Sequence, residues 1–304
     1  MKQLTCSLML AALLASGSAA SAPVATDAQP AQQIYRMPPQ DLDRYLAELH
    51  QSVPDLRQRV AIIARKTIGQ PYKLNLLGEY PFQLHDSLPM VSLGFSDCTV
   101  FAEQTYAMAL SKSWEEFFWM LQRIRYKDGV IGVATRNHYT ELDWNVNNAW
   151  LVNDISAELA GPQGPSYVTT ADRATFLKTR HHTNSTLPVQ TGREAYVALD
   201  QVQAVLARMA DGDMVNIVSQ RANQTLVTHV GLVVLDQHGQ RNLLHSSEPE
   251  VREEPFAAFI ERAQAREQRN EKAGKQGTKL LGFKFLRLNP QPVVPPAAPQ
   301  PRPA

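Results

Sequence analysis

The chain has 304 residues, 44% of them hydrophobic, with 30 basic and 29 acidic side chains and a formal charge of +1. This balance excludes the strongly basic surface of a typical nucleic-acid-binding domain. The length and apolar content predict one good-sized domain with a real core. Beyond the N-terminus, no apolar run is long enough to cross a bilayer.

The N-terminus has the pattern of a cleavable secretory signal peptide. Lys2 supplies a short positive region, and the apolar run Leu8–Ala15, which small residues follow, is too short to span a membrane. We expect cleavage after Ala20, with an uncleaved anchor as the alternative. Cleavage removes Cys6 and leaves Cys98 as the only cysteine. The mature protein is therefore expected to be secreted, into the periplasm, without a membrane span.

Composition divides the chain into four segments. Residues 1–20 are the predicted signal peptide, and residues 21–34, rich in Ala, Pro and Gln, are a predicted disordered leader. Residues 35–288 are predicted to form a single folded domain. The proline-rich residues 289–304 are predicted to be an extended, mobile tail.

The first half of this domain has helical spacing. Helices are predicted over Asp41–His50, Leu56–Ile68 and Cys98–Leu110, with a fourth from a Ser113 cap through Ile124. Residues 126–190 show no regular period, and a loop region this long inside a compact domain usually builds a site.

The last third changes to strand periodicity after one more predicted helix over residues 195–209. Strands are predicted over Met214–Val218, Leu226–Leu235, Asn242–Ser246 and Leu280–Leu288. Helices followed by a run of antiparallel strands predict an α+β fold.

Three residues carry the candidate chemistry. Cys98 opens a predicted helix, whose N-terminus favours a thiolate. His229 and His245 lie on neighbouring predicted strands. Taken singly, a free cysteine is more often a small buried hydrophobe, and a strand histidine is more often a core residue. Together they favour a thiol nucleophile with an imidazole base.

The turn between the two histidine strands decides how the imidazoles meet. A three-residue turn over residues 236–238 would place His229 directly opposite His245, whereas a five-residue turn would place them on the diagonal. Both arrangements let one ring orient the other, and the sequence leaves the choice open.

A set of short motifs occurs in order along the chain: Ile68–Tyr72, Ser96–Glu103, Arg123–Gly129, Arg136–Tyr139 with Asp143–Trp144, Gly212–Val215, Thr228–Leu232 and Leu244–Ser247. This ordered set resembles the N-acetylmuramoyl-L-alanine amidase-like family. That family is similar to the NlpC-type branch of the papain-like cysteine peptidases and amidases, which act on bacterial cell-wall peptides.

The resemblance implies a papain-like α+β fold, with the cysteine at a helix N-terminus packed on an antiparallel sheet that carries the histidines. It implies that Cys98 is the nucleophile, that His229 is the base and that His245 orients it. Tyr72 and Asp97 would border the oxyanion site, with the backbone N–H of Cys98 as a further donor.

The motif around the cysteine departs from one branch of the superfamily. Typical NlpC-type endopeptidases have Ser-Gly after the Asp-Cys pair, whereas this chain has Thr99-Val100. The departure favours an amidase that cleaves the N-acetylmuramoyl-L-alanine bond of peptidoglycan or muropeptides. A stem-peptide endopeptidase, an acyltransferase and a non-catalytic wall-binding protein are the alternatives.

A polar and aromatic cluster in the long loop region is the candidate substrate-binding surface. Aromatic rings suit sugars, and an arginine suits the carboxylates of wall peptides. The alternative is a loop pinned to the core by its aromatic residues. The cluster consists of Arg136, His138, Tyr139, Asp143 and Trp144.

Metal and cofactor chemistry is not indicated by the sequence. The adjacent histidines His181 and His182 lie in a predicted loop and do not have the spacing of a metal site. No cofactor is expected.

Overall fold

A computed structural model describes residues 32–84 and 86–300 of the chain. The predicted signal peptide and most of the predicted leader lie outside these residues. From Gln32 onward the chain forms one compact unit. Ile34 is buried in its core, and the Ile34 N–H donates to the carbonyl of Lys66 at 3.1 Å. The folded domain therefore begins before residue 35.

The four helices predicted in the first half are confirmed, each with its bounds shifted by three residues or fewer. Asp97 and Ser113 cap the third and fourth, accepting from the N–H of Val100 and Glu116. No helix in the described part of the chain has the length and apolar character needed to cross a bilayer. The α-helices are α1 Pro39–Ser52, α2 Leu56–Arg65, α3 Cys98–Ala109, α4 Trp114–Arg125, α5 Asn145–Asn147, α6 Ser156–Ala160, α7 Arg173–His181, α8 Val202–Leu206 and α9 Phe256–Lys272.

Within the described residues, seven strands form one antiparallel sheet, which confirms the α+β prediction. The strands are β1 Val152–Asp154, β2 Ser166–Ala171, β3 Gln190–Ala195, β4 Val197–Ala198, β5 Met214–Arg221, β6 Gln224–Leu235, β7 Arg241–Ser247, β8 Glu250–Pro255 and β9 Thr278–Leu288. The order in the seven-stranded sheet is β1-β9-β5-β6-β7-β8, with β4 paired to β9, while β2 and β3 form a separate two-stranded antiparallel sheet.

The sheet separates two hydrophobic cores, because successive side chains of a strand point to opposite faces. Val230 and Leu232 of β6 pack with Phe101 of α3 on one face. Val233 of β6 packs with Phe256 of α9 on the other. The N-terminus of α3 is thereby held against the middle strands of the sheet.

Two parts of the sequence reading were wrong in their secondary structure. Residues 126–190 are not irregular: a single π-helical turn at Thr140–Trp144, several helices and the strands β1 and β2 lie there. The helix predicted over residues 195–209 is replaced by the short strand β4 and by α8, because this segment pairs with β9.

The described part of the proline-rich tail makes hydrogen bonds with the folded domain. The N–H of Ala298 donates to the carbonyl of Asp128 at 3.1 Å. The Gln300 side chain donates to the carbonyl of Gly129 and accepts from the N–H of Ile131. These bonds fix the tail against the turn that follows α4, which corrects the predicted domain limit at residue 288.

Candidate functional site

Cys98 is the first residue of α3, as the sequence predicted. Asp97 caps the helix, with Oδ1 accepting from the N–H of Val100 at 2.8 Å. The opening N–H groups of a helix have no partner within it. Cys98 is partly buried, and its thiol therefore lies beside the backbone donors and the positive end of the helix dipole.

The thiol also lies against strand β6. The N–H of Val230 hydrogen-bonds to the sulfur, and Val230 directly follows His229. Burial and the neighbouring Asp97 carboxylate raise the pKa of Cys98 to about 11, although bonds from Val230 and Thr99 act in the opposite direction. The resting group is thus a neutral thiol, contrary to the expectation that the helix would hold it as a thiolate.

Tyr72 lies near this thiol, as the resemblance implied. Its backbone pairs with Ser96 in an isolated bridge just before α3. Burial raises the pKa of Tyr72 to about 12, and the electrostatic effects of Cys98, once it ionises, and of Asp97 act in the same direction. The phenol therefore remains protonated and can donate a hydrogen bond at neutral pH.

The hairpin that carries the two histidines has a five-residue turn. Leu235 pairs with Arg241 and Leu232 with Leu244, so the diagonal arrangement of the histidines is the one that forms. The same register places Gly231, which has no side chain, opposite His245.

His229 and His245 belong to a hydrogen-bonded chain that ends at a carboxylate. His229 Nε2 lies 2.7 Å from His245 Nδ1, and His245 Nε2 lies 2.7 Å from Glu254 Oε1. Arg262 of α9 donates to both oxygens of Glu254. His245 is only 1% exposed, whereas His229 is partly exposed. The exposed end of the chain is therefore His229.

The charges along this chain are set by its surroundings. Burial lowers the pKa of His229 well below its ordinary value, and burial also lowers the pKa of His245 despite the neighbouring Glu254. Burial opposes ionisation of Glu254, yet hydrogen bonds from Arg262 and His245 outweigh it and lower the pKa of that carboxyl. The resting chain is two neutral imidazoles followed by a carboxylate.

The carboxylate determines which nitrogen of each imidazole carries the proton. Glu254 only accepts, so His245 must donate from Nε2, which leaves its Nδ1 as an acceptor. His229 must then donate from Nε2 to His245. The unprotonated nitrogen of His229 is therefore Nδ1, the only ring atom that can take a proton from another group.

A β-bulge lies immediately before His229. Ile217 of β5 pairs with His229 and Val218 pairs with Val227, so Thr228 has no partner across the ladder. An extra residue of this kind turns the strand and redirects the side chains beside it. The bulge thus sets the direction of His229 relative to the regular part of β6.

A buried hydroxyl network joins the segment before Cys98 to the histidine strand. Ser246 Oγ donates to the carbonyl of Ser96 at 2.9 Å, and Ser96 Oγ donates to Gln70 Oε1 at 2.7 Å. All three residues are buried. Since Ser246 follows His245, these bonds fix the start of α3 relative to the imidazole chain.

The family model for N-acetylmuramoyl-L-alanine amidase-like proteins matches residues 62–265. The chain belongs to this family. The matched part includes Cys98, His229, His245 and Glu254, so the whole hydrogen-bonded chain and the thiol lie within the family domain.

Solved structures share the fold of this family member. A Legionella pneumophila protein of family DUF1460 has a TM-score of 0.64 at 18% identity, covering 84% of this chain and 97% of that one. Two structures of an N-acetylmuramoyl-L-alanine amidase from Bacteroides uniformis give TM-scores of 0.53 and 0.56 at 20% identity, each covering 77% of this chain and 99% of the amidase. At such identities the likeness shows the fold. No curated protein matches the chain in sequence.

The loop cluster of this amidase-like protein is mostly internal. Arg136 Nε lies 3.2 Å from Glu79 Oε1, and its terminal nitrogen lies 3.5 Å from Asp86. Its guanidinium thus already contacts carboxylates of the protein. His138 Nε2 donates to the carbonyl of Val133 at 2.7 Å, and burial and then Arg136 lower the pKa of His138 to about 3. Arg136 is thus paired with carboxylates of the protein itself, contrary to the expectation that its guanidinium is free to bind a substrate carboxylate.

Trp144 and Asp143 also face the protein. Trp144 is 2% exposed and donates from Nε1 to Glu103 at 3.0 Å, so it offers no ring face for a sugar. Asp143 accepts from Arg173 at 2.8 Å and caps the turn through the N–H of Tyr139. These contacts fit the alternative of a loop pinned to the core by its aromatic residues. Tyr139 alone of these three remains partly exposed.

The sequence analysis missed two carboxylates, one that contacts His245 and one that contacts the strand of His229. Glu254 lies in β8, which was not predicted because Glu250–Pro255 is charged and has no apolar alternation. Glu141, 6% exposed, accepts from the N–H of Val227, two residues before His229. Neither has a local motif. The one available signal is that a strand returning after β7 must pair with β7 and so pass His245. Glu254 lies on that strand, β8.

Proposed function

We propose that this protein is a cysteine amidase that hydrolyses the bond between N-acetylmuramic acid and L-alanine in peptidoglycan or its fragments. The observation that carries the proposal is the chain His229–His245–Glu254 together with the helix-terminal thiol of Cys98, which the N–H of Val230, the residue after His229, hydrogen-bonds. Family membership supports the amide as the bond attacked. The N-terminal pattern of the sequence supports a periplasmic location.

The proposed reaction starts from the neutral pair. His229 Nδ1 takes the proton of the Cys98 thiol as the sulfur attacks the amide carbonyl carbon, so no standing thiolate is required. The resulting imidazolium donates through Nε2 to His245, whose partner Glu254 is negative. This arrangement stabilises the positive charge that develops on His229.

The tetrahedral oxyanion has two candidate donors. The backbone N–H of Cys98 is directed from the helix start, and the Tyr72 hydroxyl stays protonated because burial and nearby negative charge raise its pKa to about 12. Donors placed where charge develops typically supply several kcal/mol of barrier reduction.

Collapse of this intermediate breaks the carbon–nitrogen bond. His229 gives its proton to the leaving amine of L-alanine, and the muramoyl group remains on sulfur as a thioester. Water, deprotonated by His229, then attacks the thioester carbonyl, which releases the muramoyl carboxylate and restores the Cys98 thiol. Every proton taken by His229 is returned within the cycle.

The test is mass analysis of products from a defined muropeptide, with Cys98→Ala as the matched control. We expect a free peptide with an L-alanine N-terminus and a lactyl carboxylate on the sugar. Cleavage within the stem peptide would instead identify an endopeptidase. No cleavage by the wild-type protein, with muropeptide still bound, would identify a wall-binding protein.

A further inference from the structure

A buried network of charged side chains lies beside the first two turns of α3. Three of the sequence motifs each contribute a side chain to it, and the proposed reaction uses none of the three: Glu103 of α3, Arg125 of α4 and Arg136. Glu103 is 2% exposed and Arg125 is 7% exposed. Charged groups buried this deeply need specific partners, and those partners show what the network holds in place.

Arg125 connects α3 with the loop that follows Tyr72. Its Nη2 donates to the carbonyl of Leu77 at 3.1 Å, and its Nη1 lies 3.6 Å from Oε2 of Glu103. Leu77 belongs to residues 73–79, which directly follow Tyr72 and which we call loop 73–79. One guanidinium therefore joins this loop to the helix that carries the thiol.

Loop 73–79 lies along the start of α3. The N–H of Lys73 donates to the carbonyl of Ser96 at 3.1 Å. Further along the loop, Leu76 and Leu77 pack with Val100 in the first turn of the helix. The loop is thus fixed by a backbone bond at its start and by a guanidinium at Leu77.

Other members of the network fix Arg125 in this position. Arg136 Nη1 donates to the same carbonyl of Leu77 at 3.3 Å. Trp144 Nε1 donates to Oε1 of Glu103 at 3.0 Å, which leaves Oε2 on the side of Arg125. The net gain in stability from a buried ion pair is generally small, because both charges lose their hydration. The consequence of this network is therefore the geometry that it imposes.

The positive charge of Arg125 also acts on the cap of α3. Burial raises the pKa of Asp97, and Arg125 is one of the groups that oppose this rise. After burial, Asp97 is in turn the largest cause of the raised pKa of Cys98. A substitution that tests the position of Arg125 must therefore keep its charge, and lysine does so.

We propose that Arg125 is a positioning residue of the oxyanion site. By joining loop 73–79 to α3, it holds the Tyr72 hydroxyl and the Cys98 N–H in the arrangement that receives the developing negative charge. This inference rests on the proposed function for the role of these two donors. A misplacement of about 1 Å in a catalytic group can cost about 10² in rate, so the loss of this link has a measurable effect.

Two reactions of Cys98 separate this role from a general effect on the fold. p-Nitrophenyl acetate transfers its acetyl group to the sulfur: the thiol proton passes to the base, a tetrahedral oxyanion forms, and p-nitrophenolate leaves. Iodoacetamide alkylates the same sulfur with loss of iodide and forms no oxyanion. Both rates are measured after subtraction of the reaction of the Cys98→Ala protein.

Arg125→Lys keeps the positive charge but replaces the planar fork with one ammonium group, which cannot make both contacts. We expect it to slow acylation by about tenfold or more and to leave alkylation unchanged. Arg123→Lys is the matched control. Arg123 is also a buried arginine of α4, 7% exposed, but it donates to the carbonyl of Pro295 in the tail at 3.3 Å. Its replacement should change neither rate.

Tyr72→Phe shows whether Arg125 acts through the tyrosine. In the parent protein, loss of this hydroxyl should slow acylation by about tenfold or more. In the Arg125→Lys protein it should cost much less, because the donor is already displaced, and a double-mutant cycle measures the difference. Equal costs in the two backgrounds would overturn the positioning role. Equal slowing of acylation and alkylation by Arg125→Lys would also overturn it, since it would show a general structural effect.

Glu103→Gln decides the question if Arg125→Lys does not fold. Its amide oxygen can still accept from Trp144, but its NH₂ group does not attract Arg125. We expect a selective loss of acylation, and acylation at the parent rate would overturn the proposal. Failure of the wild-type protein to hydrolyse a muropeptide, with the coupling between Arg125 and Tyr72 intact, would instead overturn the proposed reaction and leave the positioning role standing.

Discussion

His229 and His245 share a 2.7 Å hydrogen bond from diagonal positions of one β-hairpin. The residue directly opposite His245 is Gly231, where a Cβ would lie 3.0 Å from the Cβ of His245 and 2.8 Å from Leu243. The absence of a side chain at residue 231 is thus what allows the buried imidazole its place. The pairing of the histidines depends on a glycine as much as on the two rings.

Gly231→Ala should therefore displace His245 and lower kcat by about tenfold or more, at a stability cost of roughly 1–3 kcal/mol for overpacking. Muropeptide turnover and a urea melt measure the two effects. Gly94→Ala is the control, because a Cβ at residue 94 meets nothing within 4 Å. Unchanged turnover in a folded Gly231→Ala protein would show that His245 does not need this position.

The histidines should differ in their importance for turnover. Cys98→Ala should abolish activity with the fold intact, and His229→Ala should nearly match it, because members of a cooperating set each cost several orders of magnitude. His245→Asn should cost less, since its carbonyl can still accept from His229 Nε2, whereas His245→Leu offers no acceptor. Kinetics on all four variants measure the order. Equal rates for the two His245 variants would contradict an orienting role.

Asp97 should control the ionisation of the thiol. Asp97→Asn keeps a side chain that can cap α3 but removes the carboxylate that, after burial, raises the pKa of Cys98. We expect the pKa to fall by on the order of one unit and iodoacetamide to alkylate Cys98 faster at pH 8. Thr99→Val should act oppositely, since it removes a hydrogen bond that lowers the pKa. The same shift in both variants would contradict this account.

His138 should make the fold sensitive to acid. Burial, and then Arg136, lower its pKa to about 3, whereas an unfolded histidine has a pKa of about 6.5. Below about pH 6.5 the unfolded chain binds a proton that the folded protein does not, so stability falls progressively from there down to about pH 3. His138→Gln can still donate to Val133 but does not titrate. Between pH 7.5 and 5, the free energy of unfolding of His138→Gln should fall less than that of the wild-type protein. Parallel plots of unfolding free energy against pH for the two proteins would contradict this prediction.

The sequence alone predicts the parts of the site that have local signals. Asp97 and Cys98 are recognisable as a cap and a helix start, and the strands of His229 and His245 follow from their apolar residues. The five-residue turn between them is not predictable, because Asp236 stabilises it through side-chain bonds to two later N–H groups of the loop.

The rest depends on contacts between distant segments. Trp144 is a residue type often found in sugar-binding sites, but here its indole N–H donates to Glu103 on α3, which holds the ring inside the protein. Glu254 lies in a charged strand, and Arg262 on α9 determines its ionisation. The partners in these pairs are far apart in sequence and follow no periodic pattern. Only the folded structure therefore shows that Trp144 is internal and that Glu254 belongs to the site.

Glu254 should determine the proton positions of the whole chain. Glu254→Gln preserves shape, but an amide has no negative charge, and its NH₂ group can turn toward His245 Nε2 and force that nitrogen to accept. His245 would then donate from Nδ1, His229 Nε2 would have to accept, and the proton of His229 would move to Nδ1, where it blocks the base. Replacing the carboxylate of a catalytic triad by an amide has this effect, with a loss of about 10⁴ in kcat. Because one more imidazole intervenes here, we expect a loss in kcat on the order of 10² to 10⁴.

Glu253→Gln is the matched control for this loss. The Glu253 carboxylate is next to Glu254 in sequence but pairs with Arg65, so its replacement should affect kcat little. Nitrogen chemical shifts of the histidines provide a readout that a mere loss of stability would not move. In the wild-type protein His229 Nδ1 should be unprotonated and His245 Nε2 protonated. If Glu254→Gln left both shifts and the rate unchanged, the carboxylate would be structural, and the tautomers would have to be fixed by another group.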